Sequence, residues 1–238
     1  VDLQKRLNSA AESAELGDYE LAAREYESAL EALLINCEGL APQEHAKAIR
    51  SIAFNLAQVL NKLSSYQEAL KHVDLGLTHA PTAFGKAIAF AAKGEALYGL
   101  ERPIEGKQMF EEAVRAHPIT GRLNSADSMV RLGLPELVSL ADDWVNTVAT
   151  VFDGQLNDSQ RAEVELIRHQ IATKRSISQS SSDLEAAKSL ADQAIKLARV
   201  PGQLAAASRL MEAAVSKCPA IRAEYEYRLQ LWQRGVAM

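Results

Sequence analysis

Five histidines (His45, His72, His79, His117 and His169) and 31 aspartates and glutamates are the side chains here best suited to metal or acid–base chemistry. A metal site needs several ligands converging on one point, which in sequence shows as short, paired spacings. His72 and His79 stand seven apart with no second pair near them, so the histidines read as surface or capping residues. The carboxylates lie along helical sequence, where their usual place is a solvated face, and no acid–base pair stands out. Gly-rich phosphate loops, HExxH and paired CxxC motifs do not occur. In "LADDWV", Asp142 and Asp143 stand beside Trp144, which reads as a core aromatic rather than a binding platform. "KRSIS" sets Lys174 and Arg175 ahead of Ser176 and Ser178, a phosphorylation-like string that also arises often by accident. The expectation is a chain with no catalytic residue, no metal and no cofactor.

Composition supports that reading. Of the 238 residues 47% are hydrophobic and 24% charged, enough apolar matter for a sizeable core, while aromatics are only 5%. Alanine wealth with few aromatics suits closely approaching helices better than sheets. The net charge of −5 argues against a nucleic-acid or anionic-membrane surface. No apolar run reaches the length of a membrane span, and no secretory signal pattern is read at the start. Cys37 and Cys218, far apart in helical sequence, read as reduced thiols, which places the protein in the cytoplasm or, as the alternative, the nucleus. The first residue is Val1, which leaves room for a longer multidomain protein of which this is a regulatory piece.

The elements carry a repeat. "GDYELAAREYESALEALL" places Tyr19, Ala22, Tyr26, Ala29 and Leu30 along one helical face. The same offsets return as Tyr66, Ala69, Val73, Gly76 and Leu77, then as Pro103, Gly106, Phe110, Ala113 and Val114, and later as Leu204, Ala207, Met211, Ala214 and Val215. The last three copies end in a proline at the same step: Pro81, Pro118 and Pro219. Small residues at the second and fourth positions admit a neighbouring helix, the bulky third fills the space between, and the proline ends the helix. A partner helix precedes each copy: "LQKRLNSAAESAEL", "IRSIAFNLAQVLNKL", "GKAIAFAAKGEALYGL" and "LEAAKSLADQAIKLA". In the third, Gly94 takes the close-contact place of Ala57 in the second.

This pattern resembles the tetratricopeptide-repeat (TPR) family, built of helix-turn-helix units of about 34 residues. The resemblance covers roughly 3–118 and 185–219, with Pro103 in place of a tyrosine, Gly106 in place of an alanine and Leu34 where a proline is expected. It implies an all-α fold, a right-handed superhelical solenoid of such repeats closed by a C-terminal capping helix. Three repeats are expected in 1–118, an irregular helical segment of degenerate repeats in 119–184, and a fourth repeat plus the cap in 185–238. The Ser-rich stretch 176–183 is predicted as a flexible loop, with Ser182 and Glu185 as a capping box after it. The middle segment is either part of one continuous solenoid or a join, at 119–133, between two helical subdomains. Helices are expected to lengthen around the "NCEGLAPQEH" turn, because Tyr19 and Tyr66 lie farther apart than one repeat.

The resemblance also implies where a partner sits, since first helices of successive repeats line a concave groove. The matching positions are Leu7 and Ala11, then Phe54, Asn55, Gln58, Asn61 and Lys62, then Ile88, Ala91, Ala92, Glu95 and Tyr98. Family co-chaperones clamp a chaperone's terminal carboxylate with cations and asparagines; at the clamp positions this chain has Leu7, Ala11, Asn55, Ile88 and Ala92, of which only Asn55 agrees. The implied function is a non-enzymatic scaffold or adaptor that binds a peptide or helix of a partner protein. Phe54, Ile88 and Tyr98 would be its apolar anchors, with Asn55 bonding the ligand backbone. In the last helix Ile221, Tyr225, Leu229 and Trp232 form one apolar stripe, and Ala223, Tyr227 and Leu231 a second. The first is expected to cap the array; Tyr227 and Leu231 are the candidate surface for homodimerisation or for membership of a larger complex.

Overall fold

The computed structural model describes residues 3–35, 40–79 and 81–235. Those residues form eleven α-helices and two short 3-10 turns, with no strand among them. The chain divides into two compact units, Val1–Ile171 and Ala172–Met238.

In the first unit the helices follow in pairs: α1 (Leu3–Glu15) with α2 (Tyr19–Ile35), α3 (Pro42–Lys62) with α4 (Tyr66–Thr78), α5 (Ala83–Gly99) with α6 (Pro103–Ala116), and α7 (Pro118–Leu132) with α8 (Pro135–Val151). The first helices of consecutive pairs also touch, α3 on α5 and α5 on α7, so they form a layer of their own. As the repeat spacing predicts, α2 and α3 are long, at 17 and 21 residues against 13 in α4. The tyrosine and alanine positions of the repeat are core: Ala22, Tyr26 and Ala29 in α2, and Ala69, Val73 and Gly76 in α4.

One backbone feature marks every hairpin. Two residues before the second helix the chain enters the left-handed region, at Gly17, Ser64, Glu101 and Gly133. That conformation reverses the chain after a helix, and glycine adopts it without the Cβ clash other residues meet. The turn also identifies α7–α8 as a full hairpin, although its second helix has Asp142 where the repeat has a bulky apolar residue.

Glycine also sets helix spacing. A Cβ on Gly94 would lie 2.6 Å from the Phe110 ring and 3.0 Å from the Gly106 carbonyl, and one on Gly106 would lie 2.9 Å from the Gly94 carbonyl. Helices α5 and α6 therefore cross backbone to backbone, which is why Gly94 stands where α3 has Ala57. One hydrophobic cluster joins α1 to α5, and a second joins Phe110 of α6 with α7, α8 and Val164, Ile167 and Ile171.

The predicted loop at 176–183 is corrected. Those residues lie inside α9 (Asp158–Ala198), a 41-residue helix, so Ser182 and Glu185 cap nothing and the serines of "KRSIS" stand on a helix. Residues 155–200 contain neither glycine nor proline, and serine lowers helix stability too little to end a helix by itself. Between Ile119 and Ser182 there is accordingly one hairpin followed by a long helix. Nor is 119–133 a join, since it forms α7 and contributes Leu123, Ala126, Met129 and Val130 to the second cluster.

The second unit holds α9 from Ala172 onward, then α10 (Leu204–Lys217) and α11 (Arg222–Gln233). Gly202, again two residues before a second helix, has a positive φ. Ala187, Ala191, Ala194, Ala207, Met211 and Ala214 form its core with Ile221, Tyr225 and Trp232 of the expected capping stripe. Cys218 is a free, half-buried thiol; Cys37 lies outside the described residues.

Candidate partner-binding site

The layer of first helices is held by polar bonds as well as by packing. Asn61 on α3 is buried and its Nδ2 donates to the Ala92 carbonyl on α5, 2.8 Å away. Between α5 and α7, Arg131 grips Glu95 with two bonds, Nε to Oε1 at 2.9 Å and Nη2 to Oε2 at 2.6 Å. Ser128 donates to Glu95 Oε2 at 2.8 Å, and Arg131 also pairs with Asp127 one turn back. Burial by itself would lower the Arg131 pKa, but the bonds and charges of Glu95 and Asp127 outweigh it and raise the value above the ordinary range. Glu95 is 3% exposed, so losing Arg131 would strand a buried charge at a cost of about 3–5 kcal/mol.

Two pockets open over this layer, both walled by Lys62 and Arg131. One, of about 280 Å³, is lined by Tyr19, Asn61, Ser64, Tyr66, Glu95 and Leu132 besides those two. The other, of about 210 Å³, adds Gln58, Ala91, Ala92, Asn124, Asp127 and Ser128. Gln58 Nε2 donates to Asn124 Oδ1 at a long 3.5 Å, bridging α3 and α7, while Asn124 Nδ2 bonds the Thr120 carbonyl at 3.1 Å. The Lys62 ammonium lies 4.7 Å over the Tyr19 ring and has no carboxylate partner among the described residues. The larger pocket mixes polar groups with two tyrosine rings and Leu132, while the smaller is walled mainly by amides, hydroxyls and charges, suited to bonding a peptide backbone rather than to burying large apolar side chains.

Of the residues named from sequence, Gln58, Asn61, Lys62, Ala91, Ala92 and Glu95 meet at these pockets. Asn61 and Glu95 do so largely as tie bars of the layer. Asn55 is exposed and bonds the Tyr26 phenol, whose pKa burial raises and that bond partly restores. Ala11 is exposed, and Leu7 packs half-buried against the first cluster. Ile88 is half-buried and lines neither pocket. Two expected apolar anchors are corrected. Phe54 is 5% exposed because its ring fills the space that Gly76 of α4 leaves by having no side chain, with Gly85 nearby. Tyr98 turns toward α6, stacked on Phe110 at 5.7 Å between centroids and against Gly106.

The sequence reading missed Asn124, Asp127, Ser128 and Arg131, all on α7. Their signal was present: Gly133 followed by Pro135 marks the turn of a fourth hairpin, and Arg131 stands two residues before Gly133 as Lys62 stands two before Ser64. In the second unit, Tyr227 is 69% exposed and Leu231 half-buried, while a cavity of about 220 Å³ is lined by Glu212, Val215, Ser216, Arg222, Glu226 and Leu229. No helix among the described residues is long and apolar enough to cross a membrane, and no group of three or more His, Cys, Asp or Glu among them could hold a metal ion.

No family model and no curated protein matches the chain. Among solved structures it is similar to a TPR repeats protein from Bacteroides fragilis NCTC 9343, at 14% identity and a TM-score of 0.37, over 99% of each chain.

Proposed function

We propose that this chain is a non-enzymatic scaffold or adaptor that holds an extended segment of a partner protein against the layer of α3, α5 and α7. One observation carries the reading. Three consecutive first helices present two pockets with shared walls, whose amide and ammonium groups are spaced along a groove rather than focused on one point. Such a wall offers repeated donors and acceptors to a backbone that has them at every residue. The apolar anchoring expected from Phe54 and Tyr98 gives way to polar bonding by Gln58, Lys62 and Asn124. The carboxylates nearest the groove, Glu95 and Asp127, are engaged by Arg131, which suits a structural role better than acid–base work.

The test is retention of partners from native cell extract, identified by mass spectrometry, on the chain and on its Gln58→Ala, Lys62→Ala, Asn124→Ala triple variant. The variant is expected to lose those partners while it keeps native circular dichroism and its thermal midpoint falls by only about 2–4 °C, the Gln58–Asn124 bond being long and half-buried. A second reading, an obligate subunit or homodimer joined through α11, rests on the exposed Tyr227. If Tyr227→Ala abolishes capture and the triple variant does not, that second reading replaces the first.

A further inference from the structure

Lys62 is the group on which the groove's selectivity turns. Every other charge lining the two pockets is already engaged: Arg131 by Glu95 and Asp127, and each of those carboxylates by Arg131. Lys62 is exposed, belongs to both pockets and has only the Tyr19 ring beneath it. The ring face steadies an ammonium by attraction to its π electrons but does not neutralise it. In the smaller pocket the α5 wall beside Lys62 is Ala91 and Ala92, which bring no anion, and in the larger it is Glu95, whose carboxylate Arg131 holds.

Resting on the groove reading above, we infer that the bound segment carries an internal aspartate or glutamate whose carboxylate pairs with Lys62. A basic ligand side chain is disfavoured at this end, because it would face the Lys62 ammonium, and the carboxylates across the groove are already held by Arg131. The place differs from the clamp that grips a chain's terminal carboxylate, whose positions here are Leu7, Ala11, Asn55, Ile88 and Ala92.

A phage library of randomised twelve-residue peptides panned on the full chain tests this, with Lys62→Gln and Lys62→Glu panned in parallel. Lys62 is exposed, so both variants are expected to keep the native circular dichroism and thermal midpoint. Peptides selected on the native chain should share an acidic position and lose about tenfold in affinity against Lys62→Gln, and more against Lys62→Glu. Selection on Lys62→Glu should turn that position basic, and the native affinity should weaken with added salt. Selected peptides that lack an acidic position, or bind Lys62→Glu within about twofold of the native chain, overturn the inference while leaving the groove reading intact. If nothing is enriched on the native chain, both fail together.

Discussion

Glu163 stands on α9 within the first unit, half-buried, and burial together with the Asp127 charge pushes its carboxyl up from an ordinary 4.5 to about 7. The folded state therefore prefers this side chain protonated. Its contribution to stability is complete below pH 4.5, where both states hold the proton, and is lost as pH rises through 7. Glu163→Gln, which keeps the neutral shape, is expected to stabilise the protein by about 1–2 kcal/mol at pH 8 and by almost nothing at pH 4, partial exposure reducing the full effect. Urea denaturation at the two pH values checks it; an equal gain at both would mean the carboxyl is not held in its neutral form. Nothing in the sequence around Glu163 announces this, because Asp127 is 36 positions away and the pair exists only once α9 lies near α7.

At the scale of the elements, the hairpin turn repeats more faithfully than the helices it joins. Gly17, Gly133 and Gly202 meet its left-handed geometry with the residue suited to it, whereas Ser64 and Glu101 take the same geometry with a Cβ. A left-handed non-glycine residue costs about 1–2 kcal/mol, of which glycine returns part as chain entropy. Glu101→Gly is thus expected to raise stability by about 0.5–1 kcal/mol, because Glu101 is exposed and little else is lost. The same change within a helix would destabilise, so the sign of the shift in urea midpoint decides the matter. The helices themselves were legible from spacing: Ala22, Tyr26, Ala69, Val73, Gly94 and Phe110 are packed where the repeat puts them. What misled was the serine run in α9. Composition suggested a loop, yet a helix ends where a residue breaks it or a cap intervenes, and none does.

For the whole molecule the division into Val1–Ile171 and Ala172–Met238 has a direct consequence. The first two hydrophobic clusters draw only on residues up to Ile171, and the third only on residues from Leu184 onward. A fragment of residues 1–171 is expected to unfold cooperatively on heating, with helical circular dichroism and no binding of a hydrophobic dye. A broad, dye-binding transition would show that the first unit depends on the rest of the chain. The groove residues Gln58, Lys62, Asn124 and Arg131 all lie in this fragment, so it should keep whatever the groove binds.

By itself, the sequence determined that the chain is helical, that its helices pair through a recurring close-packed face, and that Ile221 and, on α11, Tyr225 and Trp232 enter a core. Each of these depends on residues a few positions apart on one helix, and such neighbours are set by the 3.6-residue turn. Only the tertiary structure decided which first-helix residues remain available to a partner. Phe54 and Asn55 are adjacent in sequence, yet Gly76 on another helix draws the phenyl ring into the core and leaves the amide outside. Glu95 looked free until Arg131, 36 residues later, was brought against it. Lys62 remains unpaired for a related reason: the helices that reach it bring alanines, a tyrosine ring and two carboxylates, Glu95 and Asp127, that Arg131 already holds.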